Sequence, residues 1–480
     1  MDENLLKFEF MSFSFTDRRR WAAMTISIGI YMSTIDASIV NISLPTIVRS
    51  LNTHLSAVAW VVTAYLIVIT GSLLLMGRLS DLFGLRRVYI FGLFTFTLGS
   101  ILCGLSPTIY FLIGSRMIQG LGASATMAIG PAIVTTVFPE KERGKALGMV
   151  GSVVSAGFLT GPLLGGFLVE HFGWRSVFYI NLPIGVIGIL LSLRVLERAE
   201  RRRDARIDFA GALLLFSSVT SLLLFLNRVG QESIPSFFWI WGIFSLFCLS
   251  LFMAVELRSS SPLVDLHLFR RRLFSASLGA SLLSFWMNGA HTFIIPFFLQ
   301  NFLGLPPSKV GILIFPVALT VMVMAPLGGR ISDRVGVRIP ATLGLIITSL
   351  AVFSFTFLQK GASDYQIFLR QVFLGIGIGL FNPANNSAII GSVPREKVGL
   401  ASSFLALSRN LGIVIGVGFA EMIISLQPPG PSLEAGVLPG IESIHDVWKL
   451  ALAIGLTAIL ISWTRPGKAV SQRGAGSPGF

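Results

Sequence analysis

Gly77-Arg78-Leu79-Ser80-Asp81-Leu82-Phe83-Gly84-Leu85-Arg86 and Gly329-Arg330-Ile331-Ser332-Asp333-Arg334-Val335-Gly336-Val337-Arg338 lie 252 residues apart and read almost alike. Gly, Arg, Ser, Asp, Gly and Arg recur at the same offsets. Each copy reads as a polar loop between two long apolar runs. Pro139 and Gly144 repeat at Pro394 and Gly399, so the correspondence extends past the first loop. A doubled segment of this kind predicts two related helical bundles in one chain.

The composition around the repeat is that of a membrane protein. The 480 residues are 53% hydrophobic and 12% charged, with 39 Phe and 49 Gly. A soluble globular chain carries about 25% charge. The apolar runs are about 20 residues long, enough to cross a ~30 Å hydrocarbon core as helix. Fourteen spans are predicted, roughly 22–44, 57–76, 88–106, 109–138, 145–169, 176–195, 207–226, 237–256, 273–300, 308–329, 339–358, 364–391, 398–425 and 446–463. Arg18, Arg19 and Arg20 precede the first run, but no small-residue cleavage site closes it. Cys103 and Cys248 fall inside apolar runs and read as buried hydrophobes, not as a disulfide or metal site.

A net charge of +14 invites a nucleic-acid reading, and its placement argues against one. Of the 37 Lys and Arg, 28 fall in the termini and in loops after even-numbered spans. The positive-inside rule then puts both termini in the cytoplasm, for a multi-pass protein of the plasma (inner) membrane. The basic stretch Arg198 to Arg203 reads as a topology determinant facing anionic lipid. The predicted organisation is a six-helix bundle over 1–206, a two-helix hairpin without counterpart over 207–256, a second six-helix bundle over 257–466, and a Gly/Ser-rich disordered tail over 467–480. The loop 426–445 holds Pro428, Pro429, Pro431 and Pro439 and reads as irregular.

Asp36 is the sharpest single residue. It lies near the middle of span 1, where a carboxylate costs ~2.5–3.5 kcal/mol on insertion scales and so must face a cavity or a partner. It reads as a proton-exchanging group or as a structural carboxylate locked to a cation. Arg116, eight residues into span 4, lies at the same depth at ~1.5 Å per residue, which makes it the expected partner. Glu421 lies in the outer part of span 13, either as a second acidic group for a cationic substrate or as a carboxylate at the outer interface. Arg370 sits near the place of Arg116 in the repeat, and Arg409 is mid-span; for each, a cavity role and a packing role stay open. His291 reads as a core histidine.

Span 5 carries Gly157, Gly161 and Gly165 at four-residue spacing, with Pro162 and Gly166 beside them. Such a stripe lets another helix approach closely, and the proline bends the helix. It reads as a packing groove, a hinge or a seal. In the doubled segments, Gly77, Gly84, Gly329 and Gly336 permit tight turns, while Arg78, Asp81, Arg86, Asp333 and Arg338 supply charges that can pair and release when the bundles move. No phosphate loop, His-Glu-x-x-His or Cys cluster is present, so neither an enzyme nor a cofactor or metal is expected.

Together these residues resemble the major facilitator superfamily, specifically its fourteen-helix drug/proton antiporter branch. Asp36 to Pro45 resembles that branch's first-helix signature, and Arg116-Met117-Ile118-Gln119-Gly120-Leu121-Gly122 its fourth-helix motif. Gly157 to Gly166 resembles the antiporter motif of helix 5. Trp174 to Gly185 and Pro262 to Leu266 also resemble family segments. Leu82 and Leu85 stand where the family places basic residues, with Arg78, Arg86 and Arg87 nearby. The resemblance implies proton-coupled export of small amphipathic compounds, cationic ones among them, by rocking of the two bundles. Its implied partners are the bilayer, protons and a small molecule, without nucleic acid. A dedicated exporter of a metabolite, lipid or siderophore is the alternative within the class. A non-transporting membrane sensor or scaffold is the alternative outside it.

Overall fold

The computed structural model describes residues 15–138, 140–197, 209–229, 239–258, 266–394, 398–426 and 440–465. The basic stretch after Arg198, the proline-rich loop and the tail lie outside these residues, as do the side chains of Arg78 and Asp81. The described residues are helical, because lipid offers no partner for backbone polar groups and a helix satisfies them internally. In chain order the helices are α1 (Phe15–Ser50), α2 (Leu55–Phe83), α3 (Leu85–Gly104), α4 (Ile109–Val137), α5 (Glu140–Phe172), α6 (Ser176–Tyr179), α7 (Asn181–Val195), α8 (Phe209–Val229), α9 (Trp239–Arg258), α10 (Arg272–Phe297), α11 (Pro307–Val335), α12 (Arg338–Phe355), α13 (Asp364–Gly391), α14 (Val398–Ser425) and α15 (Ile441–Trp463). A π-helical turn, Phe298–Phe302, extends α10.

Thirteen described spans are long and apolar enough to cross a membrane, with α6 and α7 forming one of them. The hairpin helix α8 takes the fourteenth place. The last span starts earlier than its apolar run, since Ile441 to Lys449 is already helical and pairs Lys449 with Asp446 at 2.7 Å.

The doubled polar segments are not loops. Gly77 to Phe83 forms the last two turns of α2, and Gly329 to Val335 the last turns of α11. Only the second glycine of each copy breaks the helix. Gly84 and Gly336 hold φ of 90° and 85°, a region side chains avoid, and their N–H groups donate to the Ser80 and Ser332 carbonyls, both at 2.9 Å. Polarity marked these stretches as loops, yet one turn of charged helix emerging from a bilayer is equally polar.

Helices α1 to α7 pack chiefly on one another, and α10 to α15 do the same. The α8–α9 hairpin rests through α8 on α2 and α14. The two groups meet along α5–α11 and α2–α14. We call the end bearing residue 15 and residue 465 the basic face, and the opposite end the far face. At the far face three hydrogen bonds among the described residues join the groups. Ser308 N–H donates to Glu170 Oε2 (3.0 Å), Gln300 Nε2 donates to the Ile42 carbonyl (2.8 Å), and Arg49 donates to Asn301 Oδ1.

Candidate functional site

The polar centre of the first bundle assembles from α1, α3, α4 and α7. Asp36 is fully buried, and Arg116 is 1% exposed. Arg116 Nη1 donates to Asp36 Oδ2 at 2.6 Å, so the two residues of equal predicted depth form an ion pair. Asp36 Oδ1 accepts two further bonds, from Gln119 Nε2 (2.8 Å) and Asn181 Nδ2 (3.1 Å). The same two amides also donate to Ser100 Oγ, at 2.6 and 3.2 Å. Arg116 Nε donates to the Val61 carbonyl at 3.0 Å, and the guanidinium lies 3.8 Å from the Tyr65 ring centroid. Both carboxylate oxygens are therefore occupied, which a charge in low dielectric requires.

Gln119 and Asn181 lie in the segments Arg116–Gly122 and Trp174–Gly185 without being singled out there, and Ser100 carries no signature in the sequence. Gln119 follows Arg116 by three residues, one helical turn, which puts both on one face of α4. Asn181 begins α7, just past the break at Ile180 that separates α6 from α7. A polar residue next to a break inside an apolar run was the available signal.

The second bundle has a related but neutral centre. His291 Nε2 lies 3.4 Å from Gln371 Oε1, and His291 is packed between Phe355 and Trp448, with ring centroids at 4.6 and 6.4 Å. His291 Nδ1, Gln371 Nε2 and Trp448 Nε1 are buried without partners. The glycines fix the register. Gly120 and Gly122 of α4 abut Tyr65, Val68, Gly92 and Phe96; Gly375 and Gly377 of α13 abut Val317, Thr320, Gly344 and Thr348, each at a constant offset. That register assigns the place of Arg116 to Gln371 rather than to Arg370. Arg370 instead donates to the Ser354 and Gln366 carbonyls at the far end of α12 and α13.

Glu421 is buried in α14, near the far face, and Arg409 contacts Asn410 at 3.4 Å on the same helix. The glycine stripe of α5 faces one neighbour and the residues beside it another. Gly157, Gly161 and Gly165 face Thr34, Ser38 and Ile39 of α1, within the first bundle. Gly166 and Pro162 face Pro307, Ser308 and Gly311 of α11, across the groups. Of the charges in the doubled segments, Asp333 is exposed, Arg86 donates to the Leu193 carbonyl at 2.5 Å, and Arg338 lies over the Trp463 ring. No group of His, Cys, Asp or Glu among the described residues has metal-ligand geometry.

The profile of the Major Facilitator Superfamily matches residues 26–417, and matches again over 277–474. The chain belongs to the major facilitator superfamily. It is 36% identical over 404 residues to the riboflavin transporter RibZ of Clostridioides difficile, covering 84% of this chain and 88% of that one. It is 35% identical over 402 residues to the multidrug resistance protein Stp of Mycobacterium tuberculosis, covering 83% and 74%. Among solved structures, a peptide transporter POT in complex with sulfate aligns with a TM-score of 0.69 at 16% identity, over 92% of this chain and 94% of that one. That likeness shows the fold alone. The chain is a multi-pass membrane transporter, and fold and family point away from an enzyme.

Proposed function

We propose that this major facilitator is a proton-coupled antiporter that exports small amphipathic compounds from the cytoplasm across the plasma membrane. The observation that carries the reading is the Asp36–Arg116 pair, buried where α1, α4 and α7 meet, with both carboxylate oxygens occupied. A buried ion pair loses about 3–5 kcal/mol when one partner is removed. Protonating Asp36 removes the charge and is one way to release Arg116. The freed guanidinium still has the Val61 carbonyl and Gln119 Oε1 as acceptors, the latter at 2.5 Å. Proton occupancy and the packing of α1 against α4 are thereby linked. The two bundles rock about their shared seam, closing the far face through α5 and α11. Both termini face the cytoplasm in this reading, as the basic loops suggest.

Multidrug resistance proteins among the relatives support a broad amphipathic substrate. The likeness to a riboflavin transporter favours a second reading, a dedicated metabolite carrier on the same machinery.

The test is proton release from energised inside-out vesicles, screened with cationic, neutral and anionic amphiphiles and with riboflavin. Asp36→Asn keeps the size and hydrogen-bonding capacity of the side chain without its titratable charge. It should abolish gradient-driven transport while leaving substrate exchange intact. Full gradient-driven transport by Asp36→Asn would remove the coupling role from this residue. Riboflavin as the one active compound would select the dedicated carrier.

A further inference from the structure

At the basic face of the second bundle sits a cation without a partner charge among the described residues. Arg465 follows the end of α15 by two residues, and its side chain turns back beneath the bundle. Its Nη2 donates to Asn385 Oδ1 of α13 at 2.7 Å. The residue is 1% exposed, and its Nε and Nη1 are buried with no hydrogen-bond partner. Burial pushes the guanidinium down to about 10. Arg338, in the first turn of α12, lies 4.0 Å over the ring of Trp463, and its Nε is also buried without a partner. Thr342 and Ser462 bond at 2.8 Å and hold α12 and α15 together at this level.

Buried guanidinium donors are almost always satisfied, since an uncompensated cation in low dielectric is strongly unfavourable. Here three donors on two arginines are not. Outside the bundle, the neighbouring helices present apolar side chains to the membrane. Ile339 and Leu343 of α12 and Leu456, Leu460 and Trp463 of α15 are all exposed. Exposed Trp463 is the residue type that sits at headgroup level. An apolar lane thus runs along the two helices whose basic-face ends carry the arginines.

We propose that Arg465 and Arg338 form a binding site for a phosphate-type oxyanion. Two sources share this chemistry: the headgroup of an acidic phospholipid whose chains lie along the α12–α15 lane, and free inorganic phosphate. Arginine suits either, because its planar donors match phosphate oxygens. The lane of exposed apolar side chains favours the lipid.

The experiment uses the full chain purified in a maltoside detergent, which carries no phosphate. Native mass spectrometry counts bound phosphatidylglycerol and phosphatidylcholine on titration, and thermal unfolding is followed with the same lipids and with inorganic phosphate. Wild type should retain phosphatidylglycerol in preference to phosphatidylcholine and unfold at higher temperature with it. Arg465→Gln or Arg338→Gln should weaken that binding about tenfold, the loss of one or two charge-assisted hydrogen bonds. Stabilisation by inorganic phosphate equal to that by phosphatidylglycerol would assign the site to the free anion. Wild type binding phosphatidylglycerol no better than phosphatidylcholine, with no response to phosphate, would overturn the proposal. So would unchanged phosphatidylglycerol binding in both variants. If Arg465→Gln fails to fold, the wild-type lipid selectivity and Arg338→Gln decide the matter.

Discussion

Gly311→Ala adds one methyl group to the seam between α5 and α11, and the structure sets its effect. A Cβ built at Gly311 would lie 2.2 Å from the Pro162 carbonyl oxygen and 3.1 Å from its carbon. Ordinary contact begins at 3.4 Å, so the helices must separate by about 1.2 Å. The obstacle is backbone and cannot rotate away. Overpacking of this size costs about 1–3 kcal/mol. If the two bundles rock, that cost falls on the state closed at the far face and is absent when the seam opens. The population ratio then shifts about 5- to 150-fold toward the far-open state. Spin labels at Tyr110 of α4 and Tyr365 of α13, both exposed near the far face on different bundles, report the change as a longer-distance population. Gly77→Ala is the control, because nothing lies within 4 Å of its added Cβ. An unchanged distance distribution in Gly311→Ala, with transport at wild-type rate, would refute a moving α5–α11 seam.

Further tests address the other parts of the reading. Gly161→Leu should reduce folded, inserted protein as well as transport, because its Cβ already meets Ser38 inside the first bundle; normal thermal unfolding of the variant would contradict that placement. Asn181→Ala removes one donor to Asp36 and should lower stability by about 1–3 kcal/mol, read as a lower unfolding temperature. A midpoint identical to wild type would show that the bond carries no weight. Cysteine labels at positions 200 and 470 should react from the cytoplasm and one at 435 from outside; 200 and 435 reacting from the same side would defeat the fourteen-span count.

Much of this fold is legible because a bilayer fixes the length and polarity of each helix. The spans, the repeat and the matched depths of Asp36 and Arg116 all follow from counting residues along helices of known rise. What counting misses is lateral arrangement. Gln119 and Asn181 reach Asp36 from α4 and α7, with Ser100 of α3 joining the two amides, and no spacing in the chain relates the three helices. The stripe Gly157, Gly161 and Gly165 keeps to one face, against α1, while Gly166 beside it meets α11, and spacing alone names neither neighbour. Arg370 lies near the place of Arg116 in the repeat, as the sequence suggests, but one residue short of it. The repeat offset grows from 252 at Gly77 and Gly329 to 255 at Gly120 and Gly375, and the larger offset pairs Arg116 with Gln371.

That corrected register exposes an asymmetry bearing on how the two bundles divide the work. Where the first bundle sets a carboxylate against a guanidinium, the second sets His291 against Gln371, a neutral pair with a longer contact of 3.4 Å. Breaking the neutral pair leaves amide and imidazole groups unsatisfied, at about 1–3 kcal/mol each. Breaking the ion pair without a proton leaves a bare charge inside the protein, which costs several kcal/mol more. A conformational change that strains both centres equally is therefore opposed mainly in the first bundle. It is also there that protonation can lift the opposition, since a neutral carboxyl needs no cation beside it. Two bundles built from one repeat need only one such centre to link their motion to a proton. The physical case for testing Asp36 before His291 rests on this difference, and not on the depth of either residue in the membrane.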